Sequence, residues 1–182
     1  GPDIDVKQLL INADIALYRA KARGRNRYEF FSEALQAEVI GNKRIADDIL
    51  VGLETDAFIA HYQPQFDART YDLVGVEALA RWQHPAEGLK TPDYFLDVAE
   101  ELNVVSTIDR IVLDQALRDL AHWDRAGIKV PRVSVNVSLR RLHDDRLIAS
   151  LREMNIAPGR IAFELVESIY LEDRKSTRLN SS

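Results

Sequence analysis

Three short strand-like runs each carry one hard oxygen donor in a matching place: Glu77 in LVGVEALARW, Asn136 in VSVNVS and Glu164 in IAFELVE. Carboxylate and amide oxygens suit magnesium, manganese or calcium. Isolated polar groups on otherwise apolar strands therefore point to a binding or catalytic centre. Alternate side chains of a strand face opposite ways. Ile161, Phe163 and Leu165 share one face, and Ala162, Glu164 and Val166 the other. Val133, Val135 and Val137 oppose Ser134, Asn136 and Ser138, while Glu77 aligns with Gly75 and Leu79 against Val74, Val76 and Ala78. In FIAHYQPQF, His61, Gln63 and Gln65 oppose Ala60, Tyr62 and Phe66. Four strands thus offer one bulky apolar face and one face with scattered polar groups. This is the pattern of a largely parallel sheet covered by helices on one side and enclosing a site on the other.

A chain of 182 residues with 46% hydrophobic content can bury a proper core. It has no apolar run near the roughly 20 residues of a membrane-spanning helix and no N-terminal basic-then-apolar signal pattern. The default expectation is a cytoplasmic chain, with an upstream membrane anchor in the parent still compatible. Cysteine is absent, which removes disulfides and thiolate metal sites. A net charge of −5 disfavours duplex nucleic acid but leaves room for a small anion held by local arginines. His61, His84, His122 and His143 show no ligand spacing.

The elements that must position these residues follow from periodicity. Val6, Leu9, Leu10, Ala13, Leu17 and Ala20 predict an amphipathic helix stopped near Gly24, then a short strand in RYEFF. Residues 33–54 read as a second helix joining two domains. Strands are expected at about 58–66 and 73–82, antiparallel because the turn at Asp67–Asp72 is too short for a parallel crossover. HPAEGLKTP reads as a loop, and Thr91-Pro92 as the N-cap and first position of a helix running to about Leu102. A helix at 107–126 stopping at Gly127, a strand at 133–138, a helix at 144–154 and a strand at 161–167 complete the α/β order. Residues 174–182, RKSTRLNSS after Asp173, are polar and aperiodic, and are expected to be a non-native or disordered tail.

Glu77-Ala78-Leu79-Ala80-Arg81-Trp82 resembles the EALxRW signature of EAL-domain cyclic di-GMP phosphodiesterases. Tyr62-Gln63-Pro64 resembles that family's YQP, Asn136-Val137-Ser138 its NxS, and Glu164 to Glu167 its ExxE strand. An EAL tripeptide alone occurs in many helices; four motifs in order on the expected elements are specific. The resemblance implies a partial TIM-like (β/α) barrel of the EAL type over residues 55–173, with an antiparallel first strand. Upstream, Ala13-Asp14-Ile15-Ala16-Leu17-Tyr18-Arg19-Ala20-Lys21 with Gly24-Arg25-Asn26 resembles the closing helix of a GGDEF diguanylate cyclase domain. Residues 1–32 would then be a C-terminal GGDEF remnant and 33–54 a linker helix.

The family implies metal-dependent hydrolysis of cyclic di-GMP to linear pGpG, with two Mg2+ or Mn2+ ions about 4 Å apart. It assigns Glu77, Asn136 and Glu164 as metal ligands, with Glu77 and Glu167 as the catalytic pair, Glu167 orienting a ligand or water. Gln63, Leu79 and Arg81 fall at substrate-binding positions, Arg81 as a phosphate clamp. Lys21 and Arg25 match phosphate-holding positions of an intact cyclase and are remnants here. An intact EAL domain continues into a DDFGTG-type segment and a later lysine, which these 182 residues lack. The site is thus expected to be incomplete and the chain alone inactive, with an uncovered sheet edge prone to aggregation.

Each assignment has a plainer competitor. Glu77 and Arg81 could form a structural ion pair, Asn136 could be a hydrogen-bonded core amide, and Glu167 could sit exposed at a strand end. Arg81 could pack only its stem, Trp82 reads as packing, and Arg19, Lys21, Arg23, Arg25 and Arg27 as a solvated helix end. Two other functions compete with the enzyme: a non-catalytic cyclic di-GMP receptor, and a module forming a homodimer through the 33–54 helix. The retained oxygen donors favour catalysis.

Overall fold

The computed structural model describes residues 5–22, 24–137 and 156–165. The chain divides into two compact units, Gly1–Leu50 and Val51–Ser182. The first contains helix α1 (Val6–Ala22) and most of α2 (Glu33–Glu54). Gly24, at φ +101°, stops α1 as its spacing predicts, with the Gly24 and Arg25 N–H groups capping the Lys21 and Ala20 carbonyls. Two expectations fail in this unit. No strand forms at 28–31, where Tyr28 and Phe30 stack edge to face on each other and stay exposed. The periodic residues Val6, Leu9, Leu10 and Leu17 are also exposed, and among the described residues of α1 only Ala16 and Ala20 are buried. A strand needs a partner ladder and an apolar stripe needs a cover; neither is supplied by the described residues of this unit. Arg19 is not simply solvated, because its guanidinium pairs with Glu38 of α2.

The second unit is built on a mixed sheet. Strands β1 (Phe58–Phe66), β2 (Leu73–His84), β4 (Val133–Val137) and β5 (Ile161–Leu165) lie in that order, with β3 (Gly88–Lys90) paired to the end of β2. β1 and β2 are antiparallel, as the short turn requires, and β2–β4 and β4–β5 are parallel. The turn is held by Asp67, whose carboxylate accepts the Arg69 and Thr70 N–H groups at 2.8 and 2.9 Å. Those backbone bonds, from Thr70 first, hold its pKa below the usual carboxylate value. β3 forms within a segment expected to be wholly loop, because Gly88 to Lys90 fold back antiparallel along Trp82 to His84. His84 explains the tight reversal: buried, it accepts the Ala86 and Glu87 N–H groups on Nδ1.

Helices α3 (Pro92–Glu101) and α4 (Val105–Arg125) follow the expected boundaries closely. Thr91 occupies the N-cap before Pro92, but its hydroxyl binds the Asp93 carboxylate instead of a helix N–H. α4 packs across β1, β2 and β4. Beneath it the apolar sheet face forms the core: Phe58, Ala60, Val76, Ala78, Trp82, Val133, Val135 and Val137 are buried with Leu113, Ala116, Leu117 and Leu120. Fully burying a branched or aromatic side chain contributes about 1.5–3 kcal/mol, so this one face carries most of the unit's cohesion. Polar contacts add to it. Tyr62 donates to Asp119 Oδ2 at 2.6 Å while packing edge-on to Trp123, and Gln115 accepts the Ala60 N–H at 2.8 Å. The expected helix at 144–154, the last residues of the 161–167 strand and the 174–182 tail lie outside the described residues.

Candidate functional site

The opposite face of the sheet carries the predicted donors. Register places Gln63 of β1 beside Glu77 of β2, Glu77 beside Ser134 of β4, and Asn136 of β4 beside Glu164 of β5. Since residues paired across a ladder share a face, Gln63, Glu77, Asn136 and Glu164 all emerge on the side away from α4. Leu79 and Arg81 continue along β2 on the same side. Asn136 is on the strand between the two carboxylates: β4 separates β2 from β5 and Glu164 is two residues further along the register than Glu77, so their backbones lie about 12 Å apart.

Asn136 Nδ2 donates to Glu77 Oε1 at 3.0 Å. With an amide hydrogen turned to Glu77, the carbonyl oxygen Oδ1 is the atom of this side chain that could accept a cation. Both residues are half-buried, whereas Glu164 and Gln63 are exposed. The competing core-amide reading of Asn136 is therefore partly right: it is hydrogen-bonded, but to the other candidate ligand. The Glu77–Arg81 ion pair is not formed. Four residues along a strand span about 13 Å, and Arg81 instead donates from Nη1 to the Ala80 carbonyl at 2.7 Å. Its side chain is half-buried. Trp82, one residue on, is completely buried and is core, as its packing reading has it.

Two carboxylates and one amide oxygen on neighbouring strands fit a hard divalent cation. Among the described residues no three His, Cys, Asp or Glu side chains cluster closely enough to hold an ion by themselves. Glu77 and Glu164 thus need Asn136 and further ligands. Glu167 and Ser138 lie outside the described residues. Lys21 and Arg25 are exposed at the end of α1, Arg25 at φ +59°, and belong to the first unit, not to this sheet face. Ser134, placed on this face by alternation, is buried beside Glu77; pattern reading missed Gly52, whose importance lies in what it touches. A glycine inside a helix carries no local signal of such a contact.

The unit is a mixed α/β domain with helices on one sheet face and hard oxygen donors on the other. The chain belongs to the EAL domain family, whose model matches residues 46–181. It is 35% identical over 170 residues to the bifunctional diguanylate cyclase/cyclic di-GMP phosphodiesterase MucR of Pseudomonas aeruginosa, covering 91% of this chain and 25% of that protein. It is 33% identical over 173 residues to the cyclic di-GMP phosphodiesterase PdeR of Escherichia coli, covering 93% and 26%. The solved PaMucR phosphodiesterase in complex with c-di-GMP superposes with a TM-score of 0.63 at 33% identity, covering 74% of this chain and 56% of that one. The chain spans about a quarter of the length of the curated relatives it matches. No helix among the described residues is long and apolar enough to cross a membrane.

Proposed function

We propose that this chain is the first part of an EAL-type cyclic di-GMP phosphodiesterase, preceded by the closing segment of a GGDEF domain. The observation that carries the reading is the alignment of Gln63, Glu77, Asn136 and Glu164 across four adjacent strands, with Arg81 on the same face. The relatives named for cyclic di-GMP hydrolysis support the reaction, and the PaMucR complex supports the ligand. The 170-residue match to the bifunctional MucR is longer than residues 46–181 and so reaches upstream of them, which supports the GGDEF assignment of residues 1–32.

Glu77, Asn136 and Glu164 would hold Mg2+ or Mn2+, which when bound supply an acidified water and neutralise charge developing on the phosphate. The chain's own residues set the stage for this. Asn136 fixes the Glu77 carboxylate through one oxygen, so Glu77 is oriented before any ligand arrives, which lowers the cost of assembling the site. Arg81 presents a cation to the scissile phosphate, Gln63 offers its amide to the nucleotide, and Leu79 supplies an apolar contact between Glu77 and Arg81. Glu167 completes the proposed set. The ligand donors of these 182 residues form one part of a two-metal site, so we assign the activity to the full-length protein and none to the isolated chain.

The test is conversion of cyclic di-GMP to pGpG in the presence of magnesium. Turnover by the full-length protein, with none by the 182-residue chain, is the expected result. Tight binding without turnover in the full-length protein would favour the receptor reading instead.

A further inference from the structure

The last turn of α2 meets the strand carrying Arg81 at a point with no slack. Gly52 is buried, and a Cβ added to it would lie 2.8 Å from Trp82 Nε1 and 3.2 Å from Phe58 Cε2. Trp82 has nowhere to yield. It is fully buried and stacked on Phe58 with ring centroids 5.5 Å apart. His84 and Phe95 stand edge-on to it at 4.7 and 6.0 Å. The indole Nε1 is a buried donor with no hydrogen-bond partner among the described residues. An unsatisfied donor is costly to bury, and it is held there by close packing alone. Backbone hydrogen bonds make the same connection. The Ala57 N–H donates to the Gly52 carbonyl at 2.9 Å, and the Gln83 N–H donates to the Ala57 carbonyl at 2.8 Å. The end of the helix is thereby wired to β2 on the residue after Trp82, while Arg81 is the residue before it.

We infer that Gly52 is a positioning residue for Arg81: contact of the α2 backbone with the Trp82 indole sets where β2 presents the arginine to the dinucleotide. The inference rests on the proposed phosphate-binding role of Arg81. Glu77 lies four residues back along β2 and is tied to Asn136 on β4, so it should not follow the displacement. Packed interiors pass on small shifts because they cannot absorb them. A side chain at position 52 must therefore move Trp82 or the helix, and the shift reaches the dinucleotide arm before it reaches the metal-ligand cluster.

The experiment uses the full-length protein and two calorimetric titrations, cyclic di-GMP in EDTA and Mn2+ without dinucleotide. Gly52→Ala should weaken dinucleotide binding by about tenfold, the scale expected of a sub-ångström to ångström misplacement, and leave Mn2+ affinity within about twofold. Adding Trp82→Phe, which removes the Nε1 edge that the new Cβ meets, should recover most of the loss relative to Trp82→Phe alone, a coupling expected of touching residues. Unchanged dinucleotide affinity in Gly52→Ala, or equal losses for dinucleotide and Mn2+, would overturn the inference. Arg81→Ala separates the two levels. If it binds cyclic di-GMP like the wild type, the phosphate reading falls and the inference with it. If it loses binding while Gly52→Ala does not, the inference alone falls. Should Gly52→Ala not fold, the wild-type indole N–H resonance of Trp82 gives a second readout. It should move when cyclic di-GMP is added, and a stationary resonance would overturn the inference.

Discussion

The two faces of one sheet are built on opposite rules. On the face against α4, Val133, Val135, Val137, Phe58 and Trp82 are almost wholly excluded from water. On the other, Glu77 and Asn136 are half-buried and Gln63 and Glu164 exposed. The same strands supply both, because side chains alternate. The difference teaches how the domain is divided: cohesion on one face, and on the other the donors to which we assign the chemistry. A substitution should therefore disturb one and spare the other, and failures of that separation would be informative.

The largest expected effect on stability comes from the buried face. Leu117→Ala, under the sheet on α4 and fully buried, should lower unfolding free energy by about 3 kcal/mol, measured by urea denaturation of the chain. Next comes Tyr62, whose hydroxyl joins β1 to Asp119 on α4. Tyr62→Phe should cost about 1–2 kcal/mol at neutral pH, since it strands a half-buried carboxylate. Burial first, then the hydrogen bond to Asp119 and its charge, raises the Tyr62 pKa well above its ordinary value, with Arg118 opposing. A raised folded pKa means stability that is complete below the unfolded value of about 10 and is lost as pH climbs past it. Thermal melts above pH about 10 should thus fall more steeply for the wild type than for Tyr62→Phe.

Glu164→Gln sharpens the comparison from the other side. It should leave the chain's melting temperature within about 2 °C of the wild type while reducing Mn2+ binding by the full-length protein. A large drop in melting temperature would show that the polar face also holds the fold together. The smallest effect belongs to the turn before β2. The depressed Asp67 carboxylate contributes stability that is present above pH about 4 and lost as pH falls through its lower folded pKa. Asp67→Asn should slightly flatten that acid limb of the melting curve and lower the melting temperature slightly at neutral pH, where the wild-type contribution is complete.

Much of the fold is legible in the residues, for identifiable reasons. Alternation locates β1, β2 and β4, and Thr91-Pro92 and Gly127 bound α3 and α4, because these signals act within a few residues of themselves. β3 is invisible because Gly88-Leu89-Lys90 has no pattern and exists only by pairing with β2. The strand expected at 28–31 fails for the converse reason: Tyr28 and Phe30 have strand-like character but no ladder to join. For the site, parity alone brings Gln63, Glu77, Asn136 and Glu164 to one face. Which oxygens meet is a matter of register, so the Asn136–Glu77 hydrogen bond appears only with the ladders in place. The Gly52–Trp82 contact is further out of reach, joining residues 30 apart through a side chain that is absent.

The most direct test of the division between faces is cyclic di-GMP hydrolysis by the full-length protein carrying Glu77→Gln, measured beside its melting temperature. Loss of the proposed metal ligand and its Asn136 partner should cut turnover by at least about 100-fold, on the scale of lost electrostatic stabilisation of a transition state, with the melting temperature essentially unmoved. Retained turnover, or a loss of activity that merely tracks unfolding, would contradict the assignment of chemistry to the polar face.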